Sequence, residues 1–451
     1  MRPLSIALRL LVVALGLAIS KPAYALPSFA RQTGQECAAC HVGGNFPQLT
    51  AWGRWFKLTG YSAGNFFWTP SQGFNYVPAG VLAQAGATWA AQPKDASGNV
   101  VVPANGSVAL EQASFEFANK ITDWAGFFYE VEVGYGYPGY TWAVGPADFR
   151  AAYVFHPGNS ELLVGFDMNN SPTESDVWGT LPFWGSPYYT SPLGVGTPAA
   201  PQIASLSSLV GSLGLYAMLN REFYVEFALY TVGTGFFRWG TWGPNNFNTA
   251  GTPYLNGWAP YWRAFWTREW GPSTLMLGTV GMYSQIYPAV TPHSGPADAF
   301  TDVGFDAQYQ WITERHKVTV GATYIHEWQT WNGSQPLGLS SIQTGDLNTL
   351  NLNVAYNYDN HWNLSIGYFL SNGSNNAALY AVSDPSGNTL SNSPNTSGYL
   401  LEADYILTQN IKFMLQYVGY FNINGLTTNI DGQGRFASDN NTLWLNLFIA
   451  L

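Results

Sequence analysis

The stretch Phe223-Tyr224-Val225-Glu226-Phe227-Ala228-Leu229 places bulky apolar side chains at every second position. Residues 129–135, 303–309 and 362–368 repeat this period of two. Successive side chains of a β-strand point to opposite faces, so each stretch predicts a strand with one apolar face. The pattern starts near Ala79 and continues to Leu451. The sequence therefore predicts an all-β fold over 79–451.

A soluble two-sheet sandwich and a transmembrane barrel both alternate in this way, and loop length separates them. Outer-membrane barrels have short periplasmic turns, long outer loops and an even strand number. Seven short polar turns and longer Gly/Pro/Asn/Ser loops predict a 16-stranded antiparallel barrel. The turns lie near Lys120–Asp123, His156–Asn159, Asn220–Glu222, Gly271–Ser273, Thr313–His316, Tyr358–Asn360 and Thr408–Asn410. The longer loops include Asn169–Gln202, Thr234–Asn256, Asn372–Ser397 and Asn424–Asn440.

The composition agrees with a transmembrane β-barrel. Charged residues make up 10% of the chain and aromatic residues 16%, with 19 Trp and 27 Tyr, whereas soluble domains average about 25% charged residues. No later segment has the uninterrupted apolar run of a membrane-spanning helix. The final strand, Asn441–Leu451, has Leu443, Leu445, Leu447 and Ile449 on one face, as a closing strand does. We expect the barrel in a bacterial outer membrane, enclosing an aqueous lumen.

The chain begins with an export signal. Met1–Ala25 combines basic Arg2 and Arg9, an apolar run and the small-x-small sequence Ala23-Tyr24-Ala25, which together are typical of a cleaved secretory signal. The mature protein is expected to begin near Leu26. Residues 62–78 are rich in Gly, Pro and aromatic residues without a period, which predicts a linker.

Between signal and linker lies Cys37-Ala38-Ala39-Cys40-His41, the attachment pattern of a c-type haem. One helical turn places both thiols on one side, where they can form thioethers with haem vinyl groups, and His41 can bind the iron. These are the only two cysteines in 451 residues. A Cys37–Cys40 disulfide is the alternative in an oxidising compartment, but the adjacent histidine favours one covalent haem c.

The residues after the pentad predict a short helix that ends near Gly60. Leu49, Trp52, Trp55 and Phe56 fall at helical spacing. This apolar face either covers the haem or packs against the barrel wall. The cytochrome segment, 26–61, is too short for a core of its own, so we expect it to plug the lumen of the barrel.

Strand parity predicts which side chains face the lumen. The inward carboxylates are Glu116, Glu130, Glu132, Asp148, Asp167, Glu226, Asp306, Glu402 and Asp404, and the inward bases are Arg150, Arg263 and Lys412. Such an acidic lumen either concentrates cations, because low-dielectric walls focus the field, or only keeps the interior hydrated. The sequence leaves both interpretations open.

The second axial ligand of the iron is not fixed by the sequence. The cytochrome segment has no further Met or His, and Met218 or Met414 are inward-facing candidates near the periplasmic end. His156, His316 and His361 lie in or beside periplasmic turns, and His326 faces outward. A five-coordinate iron and a water ligand remain alternatives, and either methionine could instead fill a gap in the packing.

The run Leu26-Pro27-Ser28-Phe29-Ala30-Arg31-Gln32-Thr33-Gly34 through the pentad, followed by a barrel, resembles the fused outer-membrane cytochrome–porins. Phe46-Pro47-Gln48-Leu49, Gly53 and Phe56-Lys57-Leu58 also match that family. Beyond Tyr61 the likeness is one of pattern. The resemblance implies a mono-haem protein that oxidises extracellular Fe(II), as an iron oxidase does, and passes electrons to a periplasmic c-type cytochrome or other carrier. Many relatives have an unknown donor.

The sequence thus favours electron transfer and leaves two alternatives. One is a diffusion porin plugged or gated by the haem peptide, and the other is a gas-binding haem sensor. Motifs of hydrolases, phosphate-binding loops and zinc sites are missing. A net charge of −10 with 17 Lys and Arg argues against a nucleic-acid partner.

Overall fold

A computed structural model of the chain describes residues 28–45, 47–62, 78–95, 97–136, 139–192, 198–241, 253–288 and 293–451. The signal sequence and nearly all of the linker lie outside these ranges. Sixteen long strands, β1 to β16, form the wall. They are Ala79–Ala90, Val108–Thr122, Ala125–Gly136, Gly139–Phe155, Leu162–Asn169, Val210–Leu219, Phe223–Val232, Ala259–Trp270, Ser273–Tyr287, Asp298–Ile312, His316–Thr330, Thr344–Tyr358, Trp362–Gly373, Thr396–Thr408, Ile411–Asn422 and Thr442–Ala450.

The wall is a closed antiparallel barrel, as the sequence predicts. Each strand pairs with its neighbours in the chain, and β1 pairs with both β2 and β16. The two-residue strand Tyr254–Leu255 precedes β8, and both of them pair with β9. A separate small hairpin joins Val382–Ser383 to Thr389–Ser391 in a loop. Because the barrel is closed, its wall has no unpaired strand edge. A sheet that spans lipid must be closed in this way.

The outer face of the barrel is apolar and the inner face is polar. Leu215 and Phe305 are 65% and 61% exposed on the outside. Trp124, Trp270 and Trp362, which lie at or next to the short turns, form part of an aromatic girdle there. Aromatic girdles mark the membrane interface of outer-membrane barrels. The chain is therefore an outer-membrane barrel. Within the described residues, no helix has the length and apolar character to span a bilayer.

The seven predicted short turns are all present, and they lie at the same end as the chain's C-terminus. One long loop departs from the prediction. Residues 170–192 and 198–209, here called the inner loop, include most of the predicted outer loop Asn169–Gln202, yet Asn170–Thr180 are buried. They fold back into the lumen because the inner face of the wall supplies polar partners for them.

The N-terminal segment lies inside the barrel. Its helices are α1 (Ser28–Thr33), α2 (Cys37–Cys40) and α3 (Ala51–Leu58), with a 3₁₀ turn over Val42–Gly44 between α2 and α3. Four more short helical segments lie elsewhere in the described part of the chain. They are α4 (Gln202–Ser205) and α5 (Ala377–Tyr380), together with 3₁₀ turns at Gly235–Gly240 and Ala437–Asn440.

Candidate functional site: a pentad inside the barrel

The first four residues of the pentad form the one-turn helix α2, and helix α3 packs against the pentad. Thr50 caps α3, because its hydroxyl accepts a hydrogen bond of 3.2 Å from the amide of Gly53. The Thr50 hydroxyl also donates to the carbonyl of Ala39 at 2.6 Å. A methyl group at Gly53 would collide with the carbonyl of Cys40. The glycine therefore permits α3 to pack directly on the pentad backbone.

The three reactive side chains of the pentad are only partly covered. Cys37 and Cys40 are free thiols, and the sulfur of Cys37 lies 3.6 Å from the carbonyl oxygen of Gln409 in the β14–β15 turn. Burial raises the pKa of both thiols to about 11. They are not joined in a disulfide in the structure.

His41 is suited to bind a metal. Burial lowers the pKa of His41 to about 4, and a hydrogen bond with the backbone of Pro47 offsets this only in part. The ring is therefore neutral at physiological pH, which is the form that ligates metals. A ligating histidine usually donates its other ring N–H to a carbonyl or carboxylate, which fixes the ring. Two thiols on one turn and a neutral imidazole are together the donor set that a c-type haem requires.

The loop after the pentad is fixed to one side of the wall by Asn45. Its amide nitrogen donates to Asp404 at 2.9 Å, and its amide oxygen accepts from the ammonium group of Lys412 at 2.7 Å. Asp404 is on β14 and Lys412 is on β15. Asn45 therefore holds the His41 loop against these two strands.

Buried polar groups anchor the other end of the segment to different strands of the wall. Tyr61 donates to Asp148 at 2.5 Å, and Asp148 accepts an ion-paired hydrogen bond of 2.7 Å from Arg150. Gln32 of α1 donates to the carbonyl of Tyr61 at 2.6 Å and accepts from the amide of Lys120 at 3.0 Å. These bonds join α1 and the end of α3 to β2 and β4.

The apolar side chains of α3 contact both the barrel wall and helix α1. Leu58 is buried in a cluster with Tyr216, Met218 and Trp178, and Trp55 packs against that cluster. Phe56 lies edge-on to Phe29 with 5.1 Å between ring centroids. Of the predicted face, Trp55 packs on the wall and the inner loop and Phe56 packs on α1, while Trp52 is 38% exposed, and covering of a haem by this face stays a prediction.

The inner loop is joined to the wall by a buried ion-pair network. Arg263 donates two hydrogen bonds to Asp306, at 2.5 and 2.8 Å, and lies 3.4 Å from Asp176 of the loop. Thr180 donates to Asp306 at 2.6 Å. Two-pronged Arg–carboxylate pairs fix geometry strongly. The network therefore holds the inner loop in the lumen.

Helix α3 and the inner loop are also bonded to each other. Lys57 donates to the carbonyl of Glu174 at 2.6 Å, and the guanidinium of Arg54 stacks 3.7 Å from the ring centroid of Trp178. Sequence reasoning missed this loop as part of the site. Its residues have no period, so no sequence signal distinguishes a loop that folds inward from one that faces the medium.

A cavity of about 360 Å³ remains inside the barrel beside the inner loop. Its wall includes Glu130 and Glu132 of β3 together with Tyr188 and Tyr189 of the inner loop. The same two tyrosines line a narrower cavity of about 30 Å³ that Asn45 and Pro47 also line. The tyrosine pair thus separates an acidic cavity from the loop that follows His41.

All twelve charged residues predicted to face the lumen lie on the inner face of the wall, as strand parity indicates. The structure gives several of them a structural role, since Asp148, Asp306 and Asp404 hold the N-terminal segment or the inner loop. Glu130 and Glu132 border the cavity instead. Among the described residues, no group of three His, Cys, Asp or Glu side chains is arranged to hold a metal ion.

The two candidate methionines lie in different surroundings. Met218 belongs to the apolar cluster around Leu58, whereas Met414 lines the narrow cavity with Asn45 and Pro47. The predicted histidine positions also hold. His156, His316 and His361 are exposed at the short turns, and His326 is on the outer face, where it packs against Trp328.

The comparisons with known proteins bear on the fold alone. No family model and no curated protein matches the chain. OmpT of Vibrio cholerae is 12% identical, with a TM-score of 0.41 over 83% of this chain and 97% of that one. OmpF of Salmonella typhi is 11% identical, with a TM-score of 0.47 over 83% and 97%. An anion-selective porin from Comamonas acidovorans is 12% identical, with a TM-score of 0.42 over 83% and 98%. The chain is similar to these outer-membrane barrels in architecture.

Proposed function

We propose that this protein is an outer-membrane electron-transfer protein. It oxidises an extracellular donor, with Fe(II) as the leading candidate, and delivers the electrons to a periplasmic c-type cytochrome or another carrier. Cys37 and Cys40 would hold one haem c through thioether bonds, and His41 would be its first axial ligand. Once bound, the haem supplies a centre that gains and loses one electron.

The position of the pentad inside the closed barrel carries this proposal. The apolar band of such a barrel is about 25 Å tall, and electron tunnelling weakens steeply with distance. Cys37 lies beside Gln409 of the short β14–β15 turn, at the periplasmic end of the lumen, so a donor held outside would be too far away and a small donor would have to enter the lumen. Asn45 and Tyr61 fix the segment to β14, β15 and β4, within the lumen.

The surrounding residues fit this role. The inner loop and α3 occupy part of the lumen and are bonded to each other. Glu130 and Glu132 line the remaining cavity with carboxyl oxygens, which favour a small cationic donor over an anionic one. The resemblance of residues 26–41 to the fused cytochrome–porins supports the same function, and we infer membership of that family.

Purified holoprotein in liposomes tests the proposal. Fe(II) is added outside and a soluble c-type cytochrome is enclosed within, with the periplasmic end of the barrel inward. We expect the enclosed cytochrome to be reduced by external Fe(II), and no reduction with a variant in which Cys37 and Cys40 are both alanine. Holoprotein that Fe(II) does not reduce would remove the iron assignment.

A diffusion porin whose lumen the N-terminal segment occupies is the second candidate. The sixteen-stranded wall favours it, because barrels of this size enclose water-filled channels in porins. Single-channel conductance in planar bilayers separates the two functions. The filled lumen predicts little conductance from the intact protein, and steady porin-like conductance would favour diffusion.

A further inference from the structure

We propose that Asp302 and Glu327 share one proton and that this proton keeps residues 198–209, the C-terminal part of the inner loop, attached to the wall. Alkaline pH removes the proton, loosens this part of the loop and opens the lumen. The inference goes beyond the proposed function. It does not require haem at the pentad, and it applies equally to an electron-transfer protein and to a diffusion porin.

The two carboxyl groups face each other on neighbouring strands of the wall. Asp302 of β10 pairs directly with Glu327 of β11, and the two residues are 1% and 0% exposed. The Cβ atoms of directly opposite residues lie about 4.5–5.5 Å apart. Two ionised carboxylates at this distance and without contact to water repel each other strongly. The arrangement is therefore stable with one proton between them.

A hydrogen-bond acceptor is left over at this pair. The Oδ1 atom of Asp302 is buried and has no hydrogen-bond donor among the described residues, although the carboxyl group of Glu327 is within hydrogen-bonding reach. Ionised carboxylates only accept hydrogen bonds, whereas a protonated carboxyl group donates one. A proton on either side chain therefore supplies the missing donor.

The elements next to the pair bring no positive charge to it. Met282 of β9 lies directly opposite Asp302, and Leu347 of β12 lies directly opposite Glu327. Helix α4 of the inner loop contacts the pair through backbone amides. In the described part of the chain, neither carboxylate forms an ion pair with Lys or Arg.

The charged groups farther along β10 have partners of their own. Asp298, four residues before Asp302, accepts from Ser334, and Asp306, four residues after it, binds Arg263. The other titratable groups that interact with Glu327 are the phenol of Tyr380 in α5 and the imidazole of His326 on the outer face. The test below therefore has to separate the pair from these groups.

Both carboxyl groups bind the start of helix α4. The carboxylate of Asp302 accepts from the amide of Ile203 at 2.8 Å, and Glu327 accepts from the amide of Gln202 at 2.6 Å. Gln329 also donates to Glu327, at 2.7 Å. The first amides of a helix have no partner within it. Separation of the two carboxylates therefore removes the polar attachment of α4 to the wall.

The remaining attachments of the inner loop do not depend on this proton. Ile203 and Leu206 are 0% exposed and pack in one apolar cluster with Tyr261. At the other end of the loop, Asp176 is held by the ion pair with Arg263. We therefore expect alkaline pH to loosen residues 198–209 and to leave 170–180 in place.

The sign of the pH dependence follows from where the proton is held more tightly. The attached pair keeps a proton that both carboxyl groups release once α4 detaches and water reaches them. Attachment is therefore fully present at low pH and is lost as the pH rises through the titration of the attached pair.

The test uses the full-length protein purified from outer membranes. Single-channel conductance in planar bilayers is measured from about pH 5 to about pH 10, because buried carboxyl groups can keep a proton up to about pH 8–9. Deuterium uptake of residues 198–209 and 170–180 is followed over the same range and corrected for the intrinsic pH dependence of amide exchange. Heat-dependent gel mobility checks that each sample is folded.

The decisive variant is Asp302→Asn, because its amide can donate permanently to Glu327 and still accept from Ile203. Glu327→Gln is the second variant, in case the first does not fold. The matched control is Glu402→Gln, which removes another inward carboxylate, one bonded to Gln416 rather than to α4.

We expect the conductance of wild type to rise several-fold from the acidic to the alkaline end, with faster exchange in 198–209 and unchanged protection of 170–180. Asp302→Asn and Glu327→Gln should have low conductance and slow exchange at every pH. Glu402→Gln should show the same pH dependence as wild type.

Four results would overturn the inference. Wild-type conductance and exchange that do not change with pH would show that no proton controls the loop. The same rise in both variants of the pair, or its loss in Glu402→Gln, would assign the titration to other groups. A rise caused at low pH by a chelator would show that a metal ion, rather than a proton, lies between the carboxylates.

Discussion

The two ends of the N-terminal segment are held in the lumen in different ways. At the Tyr61 end, Tyr61 and Arg150 both donate to the carboxylate of Asp148, and Leu58 is 1% exposed. At the pentad end, Asn45 supplies the polar attachment to the wall, and two free thiols and an imidazole remain partly accessible.

This difference indicates that the two ends have separate tasks. The Tyr61 end is buried and hydrogen-bonded to the wall, and it acts as an anchor. The pentad end is attached to the wall through Asn45 and carries two free thiols. A protein that only needed a plug would gain more from apolar packing at both ends. The following predictions test this division.

Removing both thiols should have the largest effect on the pentad end and leave the anchor end intact. The double variant Cys37→Ala, Cys40→Ala should carry no covalent haem, because no thioether can form. Intact-protein mass and haem staining of denaturing gels measure this loss. The heat-dependent gel mobility of the barrel should stay as in wild type, and a failure of the barrel to fold would show that the two ends are not separate.

Breaking the anchor should release the segment without removing the attachment chemistry. Arg150→Met leaves Asp148 buried without its cationic partner, a change that costs about 3–5 kcal/mol. We expect a lower free energy of unfolding, greater protease cleavage within residues 28–62 and higher conductance. The matched control is Arg268→Met, whose exposed ion pair with Glu222 is worth about 0–1 kcal/mol. Equal effects of the two variants would contradict the assigned anchor.

The contact between α3 and the pentad should have a smaller effect. Gly53→Ala places a methyl group against the carbonyl of Cys40, and overpacking of this kind costs about 1–3 kcal/mol. Helix propensity alone predicts the opposite sign, a gain of about 1 kcal/mol. Denaturant unfolding measures the sign of the change in the free energy of unfolding. Ala51→Gly in the same helix is the control for helix propensity. Stabilisation by Gly53→Ala would show that α3 does not press on the pentad.

The smallest effect concerns the cavity beside the tyrosine pair. Replacing Glu130 and Glu132 by glutamine removes negative charge from its lining, so a cationic donor should be concentrated there less strongly. We expect a few-fold slower reduction of the holoprotein by Fe(II) at low salt and no slowing with the anionic reductant ascorbate.

Asp384→Asn, an exposed change in a loop hairpin, is the matched control for this prediction. It should leave both rates unchanged. Equal slowing with both reductants would indicate that the glutamines disturb the fold rather than the field in the cavity.

The wall of the barrel could be predicted from the sequence far better than its contents. A period of two fixes which residues face lipid, so Phe305 and Leu215 lie outside and Asp306 lies inside, as expected. Parity also indicated the inward carboxylates. It could not pair Arg263 with Asp176, because these residues are 87 positions apart and lie in an aperiodic loop and a strand.

The pentad was predictable because its chemistry is contained in five consecutive residues. The surroundings of Met218 and Met414 were not, since both are inward methionines near the periplasmic end. Only the contacts of Asn45 and Leu58 distinguish them. A motif of consecutive residues, such as the pentad, can be recognised from the sequence. The different surroundings of two inward methionines can be recognised only from the part of the N-terminal segment that each one contacts.

The most direct test of the central claim is the intact mass and absorption spectrum of the mature protein isolated from outer membranes. The account predicts one haem per chain, attached within residues 37–41 and reduced when Fe(II) is added. A correctly folded barrel that is colourless and has two unmodified thiols would contradict it.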